Sequence, residues 1–139
     1  MSRYIKVAAF VECCRAAVRE MPRGPAQTKL DVHQTVCMAI AFQAPGYGCD
    51  VMREYRVRLG SRVGLIDVVW LCEGKPVIAF EVDQRGKKRS LAKLLSLQCK
   101  KCLVSLRDGP LKGPIPSGVE RIVLGVRPWR RSTYNPDDV

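Results

Sequence analysis

The chain has 139 residues, 47% hydrophobic and 27% charged, which is enough for one domain around one core and too apolar to remain disordered. No apolar run approaches the ~18 residues of a membrane helix, and Arg3, Lys6, Glu12 and Arg15 break any secretory leader, so a cytoplasmic protein is expected. A formal charge of +11 favours a polyanionic partner, most often nucleic acid, over a merely soluble basic domain, and no segment carries the basic amphipathic face of a membrane-surface helix.

In chain order, RYIKVAAFVECCRAAVRE (3–20) places Ile5, Ala8, Ala9, Glu12 and Cys13 at helical spacing, and MPRGP ends that helix. A second helix is predicted over 29–43, with Val32, Val36, Ala39, Ile40 and Phe42 on its apolar side and Thr28 or Asp31 as its cap; APGYG stops it. The period then falls to two. DVMREYRVRL (50–59) reads as a half-exposed strand, with Glu54 paired to neighbouring arginines. GSRVG turns the chain into LIDVVWLC, and EGKP (73–76) makes a hairpin into VIAFEVD. Both runs are dense in β-branched residues, as in strands buried on two faces, and Trp70 reads as core. SLAKLLSLQ (90–98) is a leucine-faced helix, KCLVSL (101–106) a strand, GPLKGPIPSG (109–118) a loop and RIVLGV (121–126) a last strand. The expectation is one α/β domain over 1–128, a mixed sheet of about five strands flanked by helices in the order α-α-β-β-β-α-β-β, followed by a polar tail at 129–139. In that tail region Trp129, with Arg127, Arg130 and Arg131, either stacks on a base or packs on the sheet.

Seven cysteines include only one CxxC pair, Cys99 and Cys102. A closed zinc site takes four ligands, commonly two such pairs, so no structural zinc is expected and the thiols read as reduced, several of them buried.

Three acids stand on apolar strands: Asp67 in IDVVWL, and Glu81 and Asp83 closing VIAFEVD. Across a turn at EGKP, facing residues sum to about 148–149, which places Asp67 and Glu81 on neighbouring strands about 5 Å apart; Glu81 and Asp83 share a strand face. Such a cluster repels itself and raises its own pKa values unless something neutralises it. A hard divalent cation does so, and on a basic protein that combination suggests phosphodiester chemistry.

At D-V-V-W and V-I-A-F-E-V-D the sequence resembles the PD-(D/E)XK nuclease superfamily, whose restriction-endonuclease-like core the segment 29–126 would form. The resemblance implies a metal-dependent DNA endonuclease using Mg²⁺ or Mn²⁺. It makes Asp67, Glu81 and the Val82 carbonyl metal ligands and Asp83 a third ligand or water-positioning acid. The family lysine two residues after the Glu is replaced here by Asp83, which leaves Lys88 or Lys93 of the following helix as candidates for charge neutralisation. The preceding helix lacks the Glu common in the family; Asp31, His33 or Gln34 would substitute, or Glu12 or Glu20 from the first helix. Gln84 would orient a ligand, and the run Arg85, Lys87, Lys88, Arg89 would grip phosphates. A homodimer would suit two-strand cutting.

Plainer readings stand beside these. Asp67 pairs with Arg53 or Arg62, Glu81 and Asp83 close their strand, His33 is a core or cap residue, and the basic run is a solvated loop. The alternative function is a catalytically inactive nuclease-fold module that binds DNA or a partner protein, as an inhibitor or accessory factor.

Overall fold

The computed structural model describes residues 5–22, 28–86, 88–111 and 113–126. Lys87, Arg127, Trp129, Arg130, Arg131 and the expected tail lie outside the described residues. The described residues form three helices and five strands in the predicted order: α1 (Val7–Arg19), α2 (Lys29–Gln43), a 3₁₀ turn (Ala44–Tyr47), β1 (Asp50–Leu59), β2 (Arg62–Cys72), β3 (Lys75–Asp83), α3 (Lys88–Leu95), β4 (Lys100–Ser105) and β5 (Val119–Val123). Among the described residues no helix is long and apolar enough to cross a membrane.

Helix α2 begins where a capping box closes it. The Asp31 N–H donates to Thr28 Oγ1 (3.1 Å) and the Thr28 N–H to Asp31 Oδ2 (2.9 Å), satisfying two otherwise orphaned donors. Pro45 then converts the last turn to 3₁₀, and Gly48, at φ 72°, takes the left-handed conformation that ends it. Val32, Val36, Cys37, Ala39 and Ile40 are buried, but Phe42, expected on the apolar side, is 83% exposed. In α1 the buried positions are Phe10 and Cys14 rather than Ala9 and Cys13. The phase of α2 is therefore as expected apart from Phe42, whereas that of α1 is off by one residue.

The strands lie in the order β1-β2-β3-β4-β5. The first three form an antiparallel meander; β3-β4 and β4-β5 are parallel, with α3 as the β3–β4 crossover. Two cores result, one on each face. Helices α1 and α2 cover Val68, Trp70, Ile78, Phe80, Val82, Cys102 and Val104. Helix α3 covers Val57, Ile66, Val69, Leu71, Ala79 and Leu103. Trp70 is central to the first core: its ring lies 4.8 Å from Phe80 and 5.0 Å from Tyr47, and its Nε1–H donates to the Ile40 carbonyl (3.2 Å). Phe10 stacks on Phe80 at 5.6 Å, docking α1. Cys99 and Cys102 belong to opposite cores, so the CxxC pair cannot share a ligand.

The β2–β3 register shifts by one residue between Trp70 and Leu71, and a second irregularity falls at Asp67. Ile66 packs under α3 while Val68, of the same parity, packs under α2, so the inward–outward alternation slips between them. Opposite, on β1, Glu54 is skipped in the β1–β2 pairing and has φ 54°. A left-handed backbone costs a non-glycine residue roughly 1–2 kcal/mol. Replacing exposed Glu54 by Gly is expected to leave stability unchanged or raise it by up to about 1 kcal/mol, whereas Glu54→Val should lower it by at least that much; urea unfolding of the two variants measures both.

Candidate functional site

The β2–β3 ladder runs from Cys72↔Lys75 to Val68↔Phe80 and stops there. At the next position, Asp67 opposite Glu81, side chains take over from backbone. The Asp67 N–H donates to Glu81 Oε2 (2.8 Å), and the Val82 N–H donates to Asp67 Oδ2 (2.8 Å). Each acid thus fills the ladder position that the separating strands leave open, and the two carboxyl groups come within hydrogen-bonding reach of each other. The Val68↔Phe80 pairing has the register expected from the sequence.

Glu81 is 1% exposed, and a charge so buried needs a partner. Lys93 Nζ forms an ion pair with Glu81 Oε1 and donates to the Leu65 carbonyl (2.9 Å). Its stem crosses Gly64, where a Cβ would sit 3.0 Å from Lys93 Cδ. Lys93 is therefore the lysine that reaches the acids. Lys88, the other candidate, is exposed at the start of α3, because the helix begins at 88 instead of 90 and ends at 95 instead of 98.

From the other face, α2 delivers His33, whose Nε2–H donates to Asp67 Oδ2 (3.3 Å). The ion pair of Asp67 is thus with His33, not with Arg53 or Arg62. Arg53 instead donates through Nη2 to Gln34 Oε1 (2.7 Å) and leaves Nε buried without a partner. Asp31 does not join the site; its carboxylate is taken by the capping box. Glu12 pairs with Arg19, and Glu20 closes α1.

Beyond the acids, Asp83 is half-buried, and its charge acts on His33. The Leu106 N–H donates to the Asp83 carbonyl (2.8 Å) and the Arg107 N–H to the Gln84 carbonyl (2.8 Å), extending the parallel ladder. Gln84 Oε1 is buried and unpartnered. Ser105 Oγ donates to the Arg85 carbonyl and accepts from Arg121 Nε (3.0 Å), which fixes the loop that presents exposed Arg85, Lys88 and Arg89.

Cys37 is a site residue that sequence reasoning misses. It lies one helical turn after His33, so that H-x-x-x-C places both on one face of α2. Its Sγ is 3.9 Å from His33 Nδ1 and from Nε2, and a ligand atom from each of His33, Cys37 and Asp67 falls within 4.8 Å of the others.

The electrostatics divide the two acids. Burial opposes ionisation of Asp67, but hydrogen bonds from His33, from Glu81 and from the Val82 N–H outweigh it and hold its pKa below the ordinary range. Burial, and then the charge of Asp67, push Glu81 from 4.5 to about 8, with Lys93 opposing. His33 is raised, chiefly by its hydrogen bond to Asp67 and against its burial. Burial and mutual repulsion therefore favour a proton on Glu81 and an ionised Asp67.

No family model, curated protein or solved structure matches the chain.

The folded Glu81 carries a proton that the unfolded chain lacks between about pH 4.5 and 8. That contribution to stability is complete below the lower value and lost as pH rises through the upper. Replacing Lys93 by Met should accordingly cost about 1 kcal/mol at pH 6, where Glu81 is neutral, and roughly 3 kcal/mol at pH 9, where a buried carboxylate loses its partner. Urea unfolding at the two pH values tests this, and an equal loss at both would contradict it.

Proposed function

We propose that the chain is a metal-dependent nuclease with a restriction-endonuclease-like core of the PD-(D/E)XK kind, hydrolysing DNA phosphodiester bonds at the fork between β2 and β3. The observation that carries this reading is the meeting of the Asp67 and Glu81 carboxyl groups where the β2–β3 ladder ends, with Lys93 on Glu81.

The donors fit a hard divalent ion. Along β3 the backbone alternates direction. Asp83 gives its carbonyl to β4, so Val82 turns its N–H and carbonyl toward β2, where Asp67 already takes the N–H. Two carboxylates and one backbone carbonyl on a half-open strand edge are the all-oxygen set that Mg²⁺ or Mn²⁺ prefers, with water and phosphate completing the shell. Such an ion would polarise the scissile phosphate and lower the pKa of an attacking water. The remaining roles fall to the protein itself. His33 and the Val82 N–H orient Asp67. Lys93 balances Glu81 and supplies positive charge in the place of the lysine that Asp83 displaces. Arg85, Lys88 and Arg89 are exposed just beyond the acids, suited to phosphates flanking the cut.

A second reading has its own support. Each acid is already satisfied by the chain: Asp67 by His33 and the Val82 N–H, Glu81 by Lys93 and the Asp67 N–H. A fold that keeps these bonds as architecture, binding DNA or a partner protein without cutting, would look the same.

Cleavage of plasmid and branched DNA in Mn²⁺ and Mg²⁺ separates the two. The nuclease reading expects metal-dependent cutting that falls by at least about 10²-fold in Asp67→Asn and in Glu81→Gln, while low-salt DNA binding persists. Salt-sensitive binding with no cutting in the wild type favours the inactive module; absence of DNA binding altogether favours a protein partner. Metal binding should also release the proton held by the acid pair. Mn²⁺ should therefore raise the melting temperature more at pH 8.5 than at pH 6, and Glu81→Gln should remove that pH dependence.

A further inference from the structure

We propose that His33, Cys37 and Asp67 form a binding site for a borderline transition-metal ion, Zn²⁺ foremost, with the fourth position left to water. It is distinct from the all-oxygen set of Asp67, Glu81 and Val82 and holds whether or not the chain cuts DNA.

The ligand types and the spacing both point to this. Imidazole, thiolate and carboxylate together are a zinc donor set, whereas Mg²⁺ has little affinity for sulfur. At zinc bond lengths, two ligand atoms of a tetrahedron stand about 3.3–3.6 Å apart. His33 Nε2 and Asp67 Oδ2 are separated by 3.3 Å, and Cys37 Sγ lies 3.9 Å from either nitrogen of His33. All three ligand atoms lie within 4.8 Å of one another, so a side-chain adjustment of about an ångström closes the set around an ion. The two α2 ligands are preset one turn apart, and Asp67 is fixed by the Val82 N–H on its strand. Cys37 forms a fully buried floor, while His33 and Asp67 have 28% and 22% of their side chains exposed, so an ion has an open approach from one side. Three protein ligands with one open position is the arrangement of an exchangeable or reactive zinc, not of a closed structural one. Because Asp67 belongs to both donor sets, a zinc ion here would compete with a hard cation for that carboxylate.

The full chain, kept reduced, is titrated with Co²⁺ as a spectroscopic stand-in for Zn²⁺. The expected result is one equivalent bound, with a near-ultraviolet thiolate-to-cobalt charge-transfer band and ligand-field bands of four-coordinate intensity, all bleached by Zn²⁺. The band should survive joint replacement of the half-buried Cys13, Cys72 and Cys99 by Ser and vanish in Cys37→Ala. Competition with a chromophoric chelator should show Zn²⁺ affinity at least tenfold weaker in Cys37→Ala and in His33→Gln. If Cys37→Ala melts without cooperativity, the part-exposed His33→Gln decides the matter. Cobalt bound without the charge-transfer band, a band lost with Cys13, Cys72 and Cys99, or undiminished affinity in His33→Gln would each overturn the site. DNA cleavage plays no part in the readout, so a failure of the nuclease reading leaves these outcomes intact.

Discussion

The crossed hydrogen bonds from the Asp67 N–H to Glu81 and from the Val82 N–H to Asp67 are the constraint on which the site depends. Strands β2 and β3 pair for most of the hairpin and then part at Val68↔Phe80. Separating strands leave unpaired N–H groups, and a buried one is costly. Here the carboxylates satisfy them, Glu81 Oε2 on the Asp67 N–H and Asp67 Oδ2 on the Val82 N–H. The acids are thus part of the sheet's hydrogen bonding as well as a source of charge. The slip in alternation at Asp67, matched by the left-handed Glu54 on β1, accompanies the turn of Asp67 toward this strand edge.

Charge balance is a consequence of that geometry. Two carboxylates this close in a half-buried place cannot both stay ionised unaided. The fold supplies His33 from α2 and Lys93 from α3, one from each face of the sheet, and leaves Glu81 inclined to keep a proton. A divalent ion and a proton are then competitors for the same oxygens. The same arrangement suits catalysis and architecture, which is why the functional reading rests on whether a cation displaces that proton rather than on the presence of acids.

Much of the fold and the acid pair is legible in the sequence, and for identifiable reasons. The turn at EGKP is legible as a hairpin, and the shift between Trp70 and Leu71 completes the β2–β3 register that brings Asp67 opposite Glu81. Thr28 and Pro45 bound α2 at both ends. Phase is what the sequence hides. In α1, buried Phe10 and Cys14 show that a helix made largely of small and apolar residues does not declare its inner face, whereas α2 departs from expectation only at exposed Phe42. Lys93 rather than Lys88 meets Glu81 because α3 starts two residues early and its second turn overlies the acids. Asp31 has the character of a helix acid for the site, but its spacing from Thr28 makes it a capping residue first. Cys37 is informative only once Asp67 is known to face α2, a tertiary fact that no local pattern encodes.

Manganese anomalous scattering from crystals of the protein grown at about pH 8 with Mn²⁺ tests the central claim most directly. The predicted result is an anomalous peak within bonding distance of a carboxylate oxygen from each of Asp67 and Glu81 and of the Val82 carbonyl. Crystals in which Mn²⁺ is bound elsewhere, while Asp67 and Glu81 retain only His33, Lys93 and backbone N–H partners, would contradict it and leave the acid pair as architecture.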